Sequence, residues 1–579
     1  MVPDNCKGAI ADALSKEKVK YVFGLPGFHN TNMLYDALND YPEIKPILVR
    51  HEEAASFMAC VWHQLTGEPG VCSATAGPGV AHLTAGIWEA YLGNYGLIGL
   101  NAGTAQKGAG MGLLQDVPQY EAFKSVSKWS WRLERPDQAQ WMMRRAFTIA
   151  RSPPSGPVML HVPIDLGDGK ADYSEYRPSV VVSYKAGNDK IIEAANLILK
   201  SERPVLAVGG GALRSRAFEE LREFAEMLSI PVLRTETGMG AIPDKHPLVV
   251  GGLGFWRTDL AKKVYKDSDL IIAVGWHMEE TSTMGWETLP KDAKLIQIDV
   301  DPLMVCKNYV ADLALVGDAK LILRDIIEYL RAIHVTKRAH SERIDRLLQA
   351  KKEFESEILP ELTSDMKPIF PPRLYHDIQE VVPEDATYIF DVGSHTAWDG
   401  TFPYFEMNTP FQASPSDHAC IGFGVGGALA GKLARPDKPC VCICGDSGVY
   451  MMGQELATQY EYKAPVTTIF LNNFGIKEIK YFQSLAWKRT ISCDYSDPYD
   501  FVRFAESQHA TGYHVTEPND IIPAIRSALR DNQEGIPALV SVVTYWEILA
   551  PGFMELLGHS YSERLAQVFG KKKIAPAVR

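Results

Sequence analysis

Short apolar runs closed by turn residues recur along the chain, with longer mixed stretches between them. In the first 180 residues the runs are Lys20–Phe23, Ile47–Val49, Gly70–Ser73, Leu97–Leu100 and Val158–His161, separated by helical stretches that begin with Cys6–Lys16. Runs this short and this apolar suit strands buried on both faces, and strands alternating with helices build a parallel sheet. The same rhythm returns at Val205–Val208, Val232–Leu233, Leu270–Val274 and Lys294–Asp299, and again at Pro439–Cys444 and Val466–Leu471. A helical stretch, Tyr450–Tyr462, lies between the last two runs. Tyr173–Lys190 is polar and irregular and reads as a linker, Arg338–Glu357 reads as a charged helical connector, and Pro368–Pro372 opens the third block. The expected architecture is α/β, with three consecutive doubly wound parallel-sheet domains over residues 1–180, 190–335 and 370–550. Residues 551–579 form a C-terminal tail whose Lys571-Lys572-Lys573 reads as a solvated end.

A length of 579 residues is too great for one core and agrees with several domains. The net charge of −12, with no basic stripe to offset it, argues against a nucleic-acid partner. No apolar run reaches membrane-spanning length and the start lacks a secretory pattern, so a cytoplasmic protein with no membrane partner is expected. The nine cysteines include no CxxC. Cys440, Cys442 and Cys444 alternate along one run, so they share a strand face and suit packing better than a tetrahedral metal site.

Candidate chemistry concentrates in the third block. Gly445-Asp446-Ser447-Gly448 ends one apolar run, and Asn472-Asn473 ends the next after 24 intervening residues, 448–471. In a parallel sheet both strands finish at the same carboxyl edge, where ligands bind. A carboxylate and an amide oxygen meet there beside the N–H groups of a helix start. Such hard oxygen ligands suit Mg²⁺, and the helix start favours phosphate. Taken alone, Gly-Asp-Ser is also a common surface turn. It occurs in esterases that use the serine as nucleophile, but those need an Asp-x-x-His near the C-terminus, and none follows Ser447.

Three further motifs precede the clamp: Val22-Phe23-Gly24-Leu25-Pro26-Gly27, Arg50-His51-Glu52-Glu53-Ala54-Ala55 and Thr75-Ala76-Gly77-Pro78-Gly79. Together with the clamp they resemble the thiamine diphosphate-dependent enzymes, over nearly the whole chain. The likeness is strongest to the acetohydroxyacid (acetolactate) synthase-like branch, through Gln454-Glu455-Leu456-Ala457-Thr458, Glu461-Tyr462 and Pro465-Val466. The resemblance implies pyrimidine-binding, central and diphosphate-binding domains in that order. It implies that Glu52 lies against N1′ of the aminopyrimidine and promotes the tautomer whose N4′ removes the thiazolium C2 proton. Read by itself, Glu52 could instead cap a helix beginning near Glu53. The resemblance places Asp446, the Asn473 side chain and the Gly475 carbonyl around Mg²⁺. It puts Gly445, Ser447, Gly448 and the loop Gly393-Ser394-His395 at the diphosphate, with His395 as either a donor or a loop residue. Ile421 takes the position of the side chain under the bent cofactor, Ala419 offers its carbonyl to the 4′-amino group, and Gly27 borders the cofactor.

Substrate selection is less legible. Pyruvate decarboxylases carry an acidic residue after the first GxPG and a His-His pair further on; here Phe28 follows Gly27, and Gln115 fits the glutamine of the synthases. His29 is a secondary candidate. Compared with the synthase pattern, Glu478 and Lys480 stand at places that are apolar there and Phe482 replaces another aromatic residue; the two charges either face the pocket or are helix-surface charges. The central block has Val208-Gly209-Gly210-Gly211 without a third spaced glycine, and Gly275-Trp276-His277-Met278-Glu279-Glu280 lacks the arginine of flavin-holding synthases. FAD or ADP is therefore less expected than a structural central domain. The reading is a thiamine diphosphate- and Mg²⁺-dependent enzyme acting on small carbonyl substrates, with decarboxylating carboligation of 2-keto acids first. A lyase or decarboxylase of an aryl, 2-hydroxy ketone or acyl-CoA substrate is second, and a non-catalytic binding subunit third. The resemblance also implies a homodimer or homotetramer with active sites shared between subunits.

Overall fold

The computed structural model describes residues 4–27, 31–171, 175–336, 340–415, 417–495 and 499–569. Its strands form three six-stranded sheets, every described pairing being parallel. The first contains β1 (Tyr21–Gly24), β2 (Lys45–Leu48), β3 (Gly70–Ser73), β4 (Leu97–Gly103), β5 (Trp129–Arg132) and β6 (Pro157–Pro163), in the order β2-β1-β3-β4-β6-β5. The second contains β7 (Pro204–Val208), β8 (Val232–Arg234), β9 (Val249–Gly252), β10 (Leu270–Val274), β11 (Lys294–Asp299) and β12 (Leu313–Val316), in the order β12-β11-β10-β7-β8-β9. The third contains β13 (Thr387–Phe390), β14 (Gln412–Ala413), β15 (Cys440–Gly445), β16 (Thr467–Asn472), β17 (Thr511–Val515) and β18 (Ala538–Val543), in the order β14-β13-β15-β16-β18-β17. The first and third sheets thus share one strand order, and all three blocks are parallel α/β as their patterns predict.

Strand order fixes where ligands can lie. Where successive connections turn to opposite sides of a parallel sheet, the loops at the carboxyl ends part and leave a crevice. These switch points fall between β1 and β3, between β7 and β10, and between β13 and β15. The loops bordering the first and third are those that carry the sequence motifs.

The strands missed by the apolar pattern are mostly at sheet edges. In β5 and β17 only some residues are buried and polar residues interrupt them, so no apolar run marks them, while β12 is apolar but only four residues long. The helical stretch Tyr450–Tyr462 is two helices, Asp446–Met452 and Glu455–Glu461, interrupted at Gly453-Gln454. Cys440, Cys442 and Cys444 do share one face of β15 and pack in one core, whereas Val441 and Ile443 pack in another. Among the described residues none of the nine cysteines is bridged.

The helix Glu52–Thr66 joins the first and third sheets. His51 caps its start by accepting the Glu53 N–H at 3.2 Å, and left-handed Gly67 closes its end. Its buried face, including Phe57 and Val61, packs on the helix Phe423–Ala434. Glycine there allows close approach: a Cβ on Gly427 would stand 2.6 Å from Val61 Cγ2. The segment after residue 550 is not a free end. Its helix Pro551–Leu556 docks on the central domain, where Glu555 pairs with Arg257 at 2.8 Å. Lys571-Lys572-Lys573 lie outside the described residues.

Candidate active site

At the β13/β15 switch point the two predicted halves of the clamp meet. β15 ends at Gly445, and Asp446 begins the next helix. The Asp446 carboxylate accepts the Ser447 N–H at 2.9 Å and the Gly475 N–H at 3.0 Å. It is 3 % exposed, and burial pushes its carboxyl up to about 6, against the pull of its amide donors. The two asparagines ending β16 differ. Asn472 Nδ2 donates to Ser541 Oγ at 3.1 Å and its carbonyl accepts the Phe474 N–H at 3.3 Å, so it is a sheet anchor. Asn473 Oδ1 is buried without a hydrogen-bond partner. A buried acceptor left unpaired costs about 1–3 kcal/mol unless something else meets it. An oxygen-seeking cation beside Asp446 satisfies that requirement, so the donor set fits a divalent ion such as Mg²⁺. Gly475 closes the site: a Cβ there would lie 2.2 Å from the Cys493 carbonyl oxygen.

The loop after β13 completes this edge. Asp391 is fully buried and accepts the N–H groups of Val392 (2.7 Å), Gly422 (2.8 Å), Gly424 (3.1 Å) and Val425 (3.4 Å). It thereby ties the Gly393-Ser394-His395 loop to the start of the Phe423 helix. A Cβ on Gly448 would stand 2.8 Å from Asp391 Oδ2, so the clamp helix is seated against the same carboxylate. The sequence marks only Gly393-Ser394-His395 of this loop; Asp391 emerges from the contacts that its carboxylate makes to the start of the Phe423 helix. His395 is 1 % exposed, its ring lies 3.7 Å from where a Gly445 Cβ would be, and its Nε2 has no hydrogen-bond partner. Burial pushes its imidazole down to about 4, so the ring is neutral near pH 7. Ala419 sits in the left-handed region at φ 55°, a conformation costly for a residue with a Cβ, and Ile421 beside it is half-buried.

The other three motifs meet at the β1/β3 switch point. A Cβ on Gly27 would collide with the Thr75 side chain at 2.1 Å, and one on Gly79 would lie 3.1 Å from Glu52 Oε1. Glu52 does not cap its helix, since His51 does; its Oε2 instead lies 2.9 Å from His82 Nδ1. Gln115, at φ 64°, abuts Gly77 and keeps a buried, unpartnered Oε1 at the edge of a cavity of about 480 Å³. Phe28 and His29 lie outside the described residues.

Within the chain the two edges are joined behind the clamp. Glu455 Oε1 accepts the N–H groups of Arg50 (2.8 Å) and His51 (3.1 Å), and Thr458 donates to its Oε2 at 2.7 Å. Glu455 is fully buried, and burial pushes its carboxyl up to about 7. The Glu52 loop therefore meets the chain beyond the far end of the Asp446–Met452 helix. Among the described residues no hydrogen bond links Glu52 to Asp446.

A second hollow, about 490 Å³, opens at the β7/β10 switch point beside Gly209, Gly210 and Gly275 and reaches Val392, Thr396 and Ala419. Glu478 lines it, and burial raises its carboxyl, so it is not simply a helix-surface charge. Lys480 turns away to Asp494 at 2.6 Å. Phe482, expected in the same pocket, lies one helical turn further along and outside the cleft, 36 % exposed in the single chain.

Comparison with known proteins decides what this arrangement is. Residues 5–123 match the N-terminal thiamine pyrophosphate (thiamine diphosphate) binding domain, 191–326 the central domain and 391–542 the C-terminal thiamine pyrophosphate binding domain of thiamine pyrophosphate enzymes. A probable acetolactate synthase large subunit of Methanocaldococcus jannaschii is 33% identical over 549 residues, 92% of this chain and 91% of its own length. The chain belongs to the thiamine pyrophosphate enzyme family. An acetolactate synthase of Mycobacterium leprae is 29% identical, covering 95% of this chain and 90% of its own, and a putative thiamine pyrophosphate-containing protein of Bacillus subtilis is 29% identical, covering 94% and 92%. It is an acetolactate synthase-like, thiamine diphosphate-dependent enzyme, with three α/β domains as its sequence predicts. No helix among the described residues is long and apolar enough to cross a membrane.

Proposed function

We propose that this enzyme joins carbonyl substrates by decarboxylating a 2-keto acid and passing the remaining fragment to a second carbonyl compound, with Mg²⁺ holding the cofactor's diphosphate. The observation that carries the reading is the unpartnered Asn473 Oδ1 beside Asp446, at the carboxyl edge that also presents the His395 loop. When bound, thiamine diphosphate supplies a carbon nucleophile that adds to the substrate carbonyl and stores the electron pair of the broken bond. Asp446, Asn473 and the Gly475 carbonyl hold the metal. The N–H groups of Ser447 and Gly448 meet the diphosphate at a helix start. His395 stands beside Gly445 as a neutral donor. With the cofactor bound, the Ala419 carbonyl would accept from the 4′-amino group, Ile421 would support the ring system, Gly27 would border it, and Glu52 would hold or release the proton at N1′. Gln115 orients the substrate.

The backbone just before Glu52 is tied to Glu455, beyond the far end of its own clamp helix, while the Glu52 carboxylate lies against His82. This supports a homodimer or homotetramer in which Glu52 serves the clamp of a second copy. Unbridged cysteines, almost all of them buried, suit the reducing cytoplasm. Incubating the purified protein with cofactor, Mg²⁺ and pyruvate, alone and with an aldehyde, tests the reaction. Acetolactate, or a mixed hydroxy ketone, is expected. Free acetaldehyde alone favours the decarboxylase reading. Glu478 in the cleft supports an acceptor more polar than pyruvate.

Since burial raises Asp446 to about 6, protons compete with the metal below that pH. Mg²⁺ affinity is expected to rise severalfold from pH 5 to 7 and then level off, as followed by metal titration of the cofactor-loaded protein; a flat profile contradicts Asp446 as a ligand.

The central cleft does not fit a flavin. Among its described lining residues Glu279, Glu280 and Asp417 outnumber Arg214 and Lys307, a poor setting for a diphosphate. Burial pushes Glu236 up to about 8. Purified protein is expected to show no flavin absorbance, and a flavin band overturns this assignment.

A further inference from the structure

We propose that His82 is the positioning residue of Glu52, its Nδ1–H holding Oε2 so that Oε1 alone is presented to the pyrimidine ring. This rests on the reading of Glu52 given above. His82 ends the short helix Pro78–His82, and its Nδ1 lies 2.9 Å from Glu52 Oε2. An ionised carboxylate only accepts, so the proton sits on Nδ1 and Nε2 is left as the acceptor. The other oxygen, Oε1, faces Gly79, whose missing Cβ leaves that side open: a Cβ would stand 3.1 Å away. One oxygen is engaged and the other has room.

The imidazole is held in turn. The His51 ring stacks on it at 4.6 Å between centroids and 27° between planes, while His51 Nδ1 accepts the Glu53 N–H at 3.2 Å. His82, 48% exposed in the single chain, thus lies between the helix cap and the carboxylate it serves. The three side chains bring one ligand atom each within 4.8 Å of the others, which raises a metal site as the rival explanation. Ring orientation argues against it. Imidazole lone pairs lie in the ring plane, and two stacked rings direct them side by side. They do not converge on one ion at the 2.0–2.1 Å that zinc requires.

A donor hydrogen bond to a carboxylate favours its ionised form and fixes its rotamer. His82 therefore sets which oxygen meets N1′ and holds it in place. The other ionisable groups around the pair are His51 and Glu53 from the same helix, and Glu455, which takes the Arg50 and His51 N–H groups. The Arg50 guanidinium turns instead to Glu461 at 2.6 Å.

Two variants and three readouts test this. In the holoenzyme, hydrogen–deuterium exchange at C2 of bound cofactor is measured against pH for wild type, His82→Ala and His82→Asn, the last keeping a donor where Nδ1 stands. Cofactor affinity is measured alongside. In cofactor-free protein, ¹⁵N-histidine NMR reports the His82 tautomer with and without Glu52→Gln. Expected for His82→Ala are exchange slowed about 10- to 100-fold, the loss of one hydrogen bond to a charged group, and a pH profile that differs from that of wild type. Affinity stays near wild type, and His82→Asn recovers most of the rate. The NMR shows a protonated Nδ1 that shifts in Glu52→Gln. Wild-type exchange and pH profile in His82→Ala overturn the proposal. So does loss of cofactor affinity with no change in pH profile, which marks a merely structural residue. A wild type that does not exchange overturns the reading of Glu52 itself, and the proposal with it, while an unprotonated Nδ1 overturns the pairing alone.

Discussion

Replacing Glu52 with glutamine leaves the fold intact and lowers turnover by roughly 10²–10⁴-fold, the range lost with a positioned proton-transfer group. The fold survives because Glu52 supports nothing structural that glutamine cannot replace. Its helix is capped by His51, its neighbours Ala54, Ala55 and Phe57 make the core, and the amide keeps the shape of the carboxyl. The rate falls because an amide can accept from a pyrimidine nitrogen but cannot exchange a proton with it. Steady-state kinetics at saturating cofactor, with a melting curve as the control for folding, measures both halves. Near-wild-type turnover in a well-folded Glu52→Gln protein contradicts its role.

Asp446→Asn is expected to remove cofactor binding itself. The variant keeps the side-chain volume and part of the contact with the Gly475 N–H, but loses the negative charge that draws a divalent ion next to Asn473. A cofactor at about a hundred times its dissociation constant stabilises the protein by roughly 2.7 kcal/mol. Wild type should therefore melt several degrees higher with thiamine diphosphate and Mg²⁺ together than with neither. Asp446→Asn should show no such shift and lose activity by roughly 100-fold or more, in line with a weakened metal site. Its cofactor-free melting temperature should be no lower than that of wild type. Asp446 is buried and its pKa is raised in the fold, so its charge is a cost to the empty protein at neutral pH. A full cofactor-induced shift in the variant contradicts the clamp.

The two experiments separate the two edges of the site. In the proposed assignment Glu52 acts on a cofactor already bound, whereas Asp446 decides whether it binds. Their separation in the chain, with no hydrogen bond between them among the described residues, is also why the site is proposed to form between subunits.

The sequence by itself determined the three-block α/β architecture and the cofactor class, and it brought the residues proposed as the clamp into view. Apolar runs such as Pro439–Cys444 and Val466–Leu471 mark strands wherever both faces are buried, and turn residues at their carboxyl ends mark ligand loops. It also determined the face shared by Cys440, Cys442 and Cys444, because strand periodicity is local. Tertiary structure decided what local pattern cannot encode. Edge strands such as β5 and β17 are half-solvated and leave no apolar signature. The difference between Asn472, a sheet anchor, and Asn473, a free oxygen, depends on Ser541 in a neighbouring strand. Asp391, Glu455 and His82 became legible only when loops far apart in sequence met, because each acts by accepting or donating across a contact. Glu478 could be read as a solvated helix charge or a pocket residue until the cleft placed it. Cofactor chemistry rests on a few residue types at strand ends and is written along the chain. The substrate is chosen by side chains converging from several loops, and their convergence is a property of the folded molecule.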